Sequence, residues 1–277
     1  MPNIRLIALD LDGTVFNDRK EITPRTVAAI QAAIARGVAV VPATGRTVSG
    51  LPQQFLSIPG VRYLLVSNGA CVVDRETGQK LVYQPFDVAT ALPLFEALDP
   101  LGGVQSIFID GECYTTPESI ARCEGTVPDN LLNYFRNDRI VVQDMHKTLL
   151  EHAHEVEKFS IIYATEAEQQ AAWQVAAAFA AEPTSSLPRN LELNAPGVTK
   201  GSGLLALADA LGLQRDEVMA VGDSGNDLAM IRAAGLGIAM GNATGEVKQA
   251  ADAITLDNEH DGVAVAIERY VLEGADL

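Results

Sequence analysis

The feature that most constrains this chain is its first apolar run, Ile4–Leu9, which stops abruptly at Asp10-Leu11-Asp12-Gly13-Thr14. A run apolar on both faces reads as a strand buried above and below, as in a parallel sheet covered by helices on two sides. Sheets of this kind gather their ligands at the carboxyl ends of the strands. The first strand therefore delivers two carboxylates to the edge where an α/β protein keeps its chemistry.

The same rhythm continues down the chain. Thr23-Pro24 reads as an N-cap followed by proline at the first helical position. Val27, Ile30 and Ile34 recur at helical spacing, and Gly37 closes the helix. Val38–Val41 is a second strand running into Pro42-Ala43-Thr44-Gly45-Arg46, and Tyr63–Val66 a third running into Ser67-Asn68-Gly69. Strand, helix, strand, helix, strand implies a parallel sheet with right-handed crossovers. The pattern then turns mixed, with a hairpin over 71–83, a strand at 106–109 and an alanine-rich helix near 166–180. Pro183 and Pro188 suggest a linker at its exit. After Leu191 the rhythm returns: the loop 193–200 feeds a helix closed by Gly212. Val218–Val221 then ends in Gly222-Asp223-Ser224-Gly225-Asn226-Asp227, and two short strands and a last helix follow. The expected organisation is an α/β core made of residues 1–84 plus 191–277, with a smaller α/β domain, 85–190, inserted in it.

Composition narrows the function. With 48% hydrophobic and 20% charged residues the chain can build a large core, which excludes disorder. A net charge of −16 repels phosphate backbones and anionic membranes, so neither a nucleic acid nor a membrane is expected as a partner. No apolar stretch reaches the ~20 residues that cross a bilayer. Cys71, Cys113 and Cys123 are odd in number and form no C-x-x-C pair, which fits reduced thiols in the cytoplasm.

Four strand ends or adjoining loops now carry polar residues on one edge: Asp10 with Asp12, Thr44 with Gly45, the Lys200 loop, and Asp223 with Asn226 and Asp227. Taken together, Asp10-Leu11-Asp12-Gly13-Thr14, Ala43-Thr44-Gly45-Arg46, Lys200-Gly201 and Gly222-Asp223-Ser224-Gly225-Asn226-Asp227 resemble the four motifs of the haloacid dehalogenase superfamily of phosphatases. The place of the insertion resembles the Cof-type subgroup with an α/β cap. The resemblance covers the whole chain. It implies a Rossmann-like core with an inserted cap, and a Mg²⁺-dependent phosphatase of small phosphorylated metabolites, with sugar phosphates as the expected substrates.

The chemistry explains the residue types. Phosphoryl transfer needs an in-line nucleophile, neutralised phosphate oxygens and a proton for the leaving group. Asp10 can attack phosphorus, splitting one hard step into two. Asp12 can protonate the leaving oxygen and then activate water, for which its surroundings should raise its pKa above that of Asp10. The resemblance implies Mg²⁺ held by Asp10, the Asp12 backbone carbonyl and Asp223. It makes Lys200 the cation that balances Asp10, and Leu11, Thr44, Gly45, Arg46, Lys200 and Asn226 the phosphate-binding set, with Asn68 and Asp227 supporting them. Gly13 and Gly45 are expected to permit tight turns and close backbone approach. The enzyme is expected to act as a monomer or weak homo-oligomer.

Other readings fail on particular residues. A calcium loop needs glycine at its sixth place, where Val15 stands. The hydrolase elbow G-x-S-x-G fails at Asn226, and a P-loop needs Gly-Lys-Ser/Thr. His146, His152 and His154 read as a solvated surface among glutamates rather than a metal site, and Trp173 as packing. Arg46 either meets substrate or pins its own loop. A phosphomutase using the same aspartyl-phosphate, and a catalytically silent sugar-phosphate-binding regulator, stand as alternatives.

Overall fold

The computed structural model of the chain describes residues 3–127, 132, 135 and 139–273. Its strands in chain order are β1 (Leu6–Leu9), β2 (Ala39–Pro42), β3 (Tyr63–Val66), β4 (Cys71–Asp74), β5 (Lys80–Tyr83), β6 (Val104–Ile109), β7 (Glu112–Thr115), β8 (Ile140–Val141), β9 (Val156–Ile162), β10 (Glu182–Thr184), β11 (Asn190–Asn194), β12 (Val218–Gly222), β13 (Leu236–Ala239) and β14 (Ala253–Ile254). Contacts divide the chain into two compact units. The first is Met1–Gly45, Leu51–Tyr83 and Thr199–Leu277; the second is Arg46–Gly50 and Gln84–Val198.

The first unit is built on a parallel sheet in the order β14-β13-β12-β1-β2. Every residue of β1 is fully buried, as its unbroken apolar run requires. The strand β3 continues the edge through a parallel bridge between Ala43 and Leu65, and it opens the antiparallel sheet β3-β4-β5. The register is what positions the site. Leu9 lies opposite Val221, and the Asp10 N–H donates to the Val221 carbonyl at 3.0 Å, so Asp10 and Asp223 leave neighbouring strands at the same edge. Helix Pro24–Ala35 starts as its sequence indicates: the Thr23 hydroxyl accepts from the Thr26 N–H, and Pro24 takes the first position, where its missing donor costs nothing.

The second unit carries a six-stranded sheet, β10-β11-β9-β6-β7-β8, antiparallel except between β7 and β8. Two of its strands differ from the sequence reading. Asn190–Asn194 pairs antiparallel with β9, so the chain re-enters the first unit at Thr199 rather than after Leu191. The reason is visible in its alternation: Leu191 and Leu193 fill one face while Asn190, Glu192 and Asn194 take the other. Pro183 lies in β10 and not in a linker, which the sheet tolerates because β10 is an edge strand. Among the described residues no helix is long and apolar enough to cross a membrane.

Candidate active site

The site grows from three chain segments at the carboxyl edge of the first unit's sheet. Asp10 follows β1 and Asp223 follows β12. The third element is helix Lys200–Ala210, whose cap is the Thr199 hydroxyl accepting from the Ser202 N–H. Lys200 is its first residue. A cation there faces the positive end of the helix dipole, where acidic residues are favoured. Two carboxylates offset that cost. The Lys200 ammonium donates to Asp10 Oδ1 and to Asp227 Oδ1, each at 2.7 Å, and Lys200 and Asp227 are fully buried. Close packing brings the helix in: a Cβ on Gly69, whose φ is +97°, would fall 2.1 Å from the Thr199 carbonyl oxygen.

Asp227 holds more than the lysine. Its Oδ2 accepts from the Asp223 N–H at 2.9 Å and the Ser224 N–H at 3.0 Å, which fixes the turn that presents Asp223. Asp223 Oδ1 in turn accepts from the Thr14 hydroxyl at 2.7 Å, tying the loop after β1 to the loop after β12. Gly13 lies between them with φ +88°, and a Cβ there would sit 2.7 Å from Asp223 Oδ2, so both backbone and space demand glycine. Gly45, by contrast, lies in a bend of the chain but is not among the glycines with positive φ, so its backbone conformation alone does not demand glycine.

The electrostatics are lopsided. Three carboxylates, Asp10, Asp223 and Asp227, bring oxygen atoms within 4.8 Å of one another against one ammonium. Burial, then Asp227, pushes the Asp10 carboxyl well above the usual carboxylate range, with Lys200 opposing. Burial and then Asp227 push Asp223 up to about 6. Burial would lower Lys200, but the pull of Asp10 and Asp227 overrides it and raises its pKa. Asp12 is different: half-exposed, with Oδ1 3.0 Å from the Lys20 ammonium. The sequence expectation looked to Asp12 for a raised pKa, and here the Asp10 carboxyl itself is raised by burial. Burial acts on Asp10, and a cation neighbours Asp12.

This donor set fits a hard divalent cation. Excess buried negative charge and carboxylate oxygens are what Mg²⁺ accepts. Both Asp227 oxygens already take N–H donors, which leaves Asp10 and Asp223 as the side chains suited to hold an ion.

Across residues 7–267 the chain matches the family model of haloacid dehalogenase-like hydrolases. The chain belongs to that family. It is 32% identical over 277 residues to the 5-amino-6-(5-phospho-D-ribitylamino)uracil phosphatase YcsE of Bacillus subtilis (strain 168), covering 98% of this chain and 97% of that one. It is 29% identical to the phosphatase YitU of the same organism, named for the same substrate, over 96% and 97% of the two chains. Among solved structures, a haloacid dehalogenase-like hydrolase from B. subtilis superposes with a TM-score of 0.83 at 27% identity, over 97% of this chain and 100% of that one. As a haloacid dehalogenase-like hydrolase with phosphatase relatives along its whole length, the chain is a phosphatase.

The remaining residues named from sequence fall as follows. Thr44 is buried after β2, its N–H on the Leu65 carbonyl and its own carbonyl accepting from Asn68 N–H. Asn68 Oδ1 accepts from Asn226 Nδ2 at 3.2 Å, so the two asparagines meet across 158 positions. Ser67 and Asn68 both adopt positive φ, 50° and 54°, a conformation that non-glycine residues rarely hold away from functional sites. Leu11 is buried, and its carbonyl accepts from the Thr14 and Phe16 N–H groups. Arg46 belongs to the second unit, where it donates to the Gly50 carbonyl at 3.2 Å. His146 and His152 pair with Glu96 and Glu155, and among the described residues no cluster suited to a metal contains a histidine. Sequence reasoning missed Lys20 and Asn242, which donates to the Gly13 carbonyl at 2.8 Å. Their loops carry no periodic signal that could have marked them.

Proposed function

We propose that this chain is a Mg²⁺-dependent phosphomonoesterase of small phosphorylated sugars and polyols, working through an aspartyl-phosphate on Asp10. The observation that carries the reading is the buried Lys200 ammonium joined at 2.7 Å to both Asp10 and Asp227, beside Asp223. Lys200 holds Asp10 by one oxygen and balances charge as phosphorus is approached. An oxygen of Asp10 attacks phosphorus, and the ester oxygen leaves with a proton from Asp12. Asp12 then takes a proton from water, which attacks the acyl phosphate and frees Asp10 and inorganic phosphate. Mg²⁺, held by Asp10, Asp223 and the Asp12 carbonyl, would neutralise the phosphate oxygens. Thr44, Asn226 and backbone N–H groups of the Leu11 and Gly45 loops would bind those oxygens, with Asn68 steadying Asn226.

The substrate class draws support from the relatives named for a phosphate carried on a ribityl chain. The three cysteines are buried and unbridged, which supports a reducing, cytoplasmic setting. Phosphate release from a panel of sugar and polyol phosphates, with Mg²⁺ and with a chelator, tests the reading. Release confined to the Mg²⁺ arm supports it. Equal release in both arms, or transfer of phosphate to a second hydroxyl without release, contradicts it.

A further inference from the structure

The loop after the two aspartates is held more firmly than a surface connection needs. Asn17 is 4% exposed, and its Oδ1 accepts from the Arg19 N–H at 3.1 Å and the Glu21 N–H at 2.9 Å. Its carbonyl accepts from the Lys20 N–H at 2.9 Å. This arrangement holds Lys20 at φ +60°, where a non-glycine residue is strained. Distant segments secure the same loop. Asn258 Nδ2 donates to the Phe16 carbonyl and to Asp18 Oδ1, each at 3.2 Å, and Glu259 Oε1 accepts from the Asp18 N–H at 2.6 Å. Asn242 links the Gly13 carbonyl to the Asn258 N–H. This bracing places Lys20 Nζ 3.0 Å from Asp12 Oδ1.

An ion pair with both partners this exposed, 46% for Lys20 and 37% for Asp12, stabilises a fold little. Stability therefore does not account for a strained and braced lysine. We propose that Lys20 is a positioning residue for phosphoryl transfer: its ammonium fixes the Asp12 carboxyl in one orientation for proton exchange with the leaving oxygen. The inference rests on the role given to Asp12 above. Misplacing a reacting group by about 1 Å can cost as much as 10²-fold in rate.

The leaving group supplies the test. An alkyl phosphate needs its proton, whereas p-nitrophenyl phosphate leaves as a stable phenolate and needs it far less. Lys20→Met, Lys20→Arg and Asp12→Asn are compared on glucose 6-phosphate, or the best alkyl ester of the panel, and on p-nitrophenyl phosphate, with melting curves for each variant. Lys20→Met is expected to lower kcat/KM, which reports formation of the aspartyl-phosphate, roughly tenfold on the alkyl ester and by less than about threefold on the aryl ester, with Tm little changed. Lys20→Arg is expected to restore most of the loss, and Asp12→Asn to show the same selectivity in stronger form. An equal fall on both esters, no fall, or failure of arginine to rescue overturns the inference. If Asp12→Asn is selective and Lys20→Met is not, the inference fails while the role of Asp12 stands. If Asp12→Asn is not selective, that role fails and the inference with it.

Discussion

Two lysines are buried among the described residues, and they are buried for different ends. Lys158 in β9 meets one carboxylate, Glu192 of β11, at 3.3 Å, and its ammonium lies 4.4 Å from the centre of the Phe108 ring. Glu192 also accepts from the Ser186 hydroxyl at 2.7 Å. Lys200 meets two carboxylates at 2.7 Å with a third alongside, one charge against three. Nothing in packing asks for that surplus, and burial makes it expensive. The Lys158–Glu192 pair joins two strands; the excess of carboxylates around Lys200 is what the proposed cation and phosphoryl group would answer. If the proposed mechanism holds, that difference separates structural from catalytic charge.

Substitution should break the two clusters in opposite ways. Asp10→Asn removes the nucleophile and one of the surplus charges, so phosphate release is expected to fall by roughly 10³-fold or more while Tm holds or rises. Lys200→Met is expected to lower kcat by roughly 10²- to 10³-fold and to destabilise by about 3–5 kcal/mol, because both its partners lose their cation. Lys158→Met is the control: a similar stability loss of about 3–5 kcal/mol in denaturant titrations, with kcat of the folded enzyme within about threefold of the parent. If Lys158→Met silences the enzyme as Lys200→Met does, charge balance does not sort the two sites.

Smaller effects sharpen the same contrast. Gly13→Ala forces a Cβ toward Asp223 at a φ of +88°, and a kcat loss of roughly 10²-fold is expected from the displaced carboxylate. The surplus charge also sets a pH dependence. Asp223 is held up to about 6 in the fold, above the ~3.9 of an unfolded chain. Its contribution to stability is therefore full below pH ~4 and is lost as pH rises through about 6. A divalent cation compensates the ionised form. Saturating Mg²⁺ is thus expected to raise Tm by roughly 2–4 °C at pH 8 and by less at pH 5. A larger rise at pH 5 would contradict the assignment.

The sequence made the strand ends legible because apolar runs that stop dead leave few places for Asp10, Thr44 and Asp223 to go. Lys200 was legible only in company, since a lone lysine before a helix is ordinarily a surface charge. What stayed hidden has a common cause. Lys20 against Asp12, Asn242 against Gly13 and Asn258 against Phe16 are loop-to-loop contacts, and loops carry no period from which a partner follows. The strand β11 was missed, and its residues from 191 on were given to the core, for a related reason. Its five residues lie beside Pro196 and Gly197 and read as the start of a loop, and the strand it pairs with is written in β9. The positive φ of Ser67 also escaped notice, because serine gives no sign of it.

The most direct measurement is mass spectrometry of the Asp12→Asn variant, acid-quenched during turnover of p-nitrophenyl phosphate, whose leaving group does not wait for a proton, and digested. With water activation slowed, the peptide containing Asp10 should carry the mass of one phosphoryl group, and the mark should vanish when Asp10 is also replaced by Asn. Turnover that leaves this peptide unmodified, or places the phosphoryl group on another residue, would contradict the account.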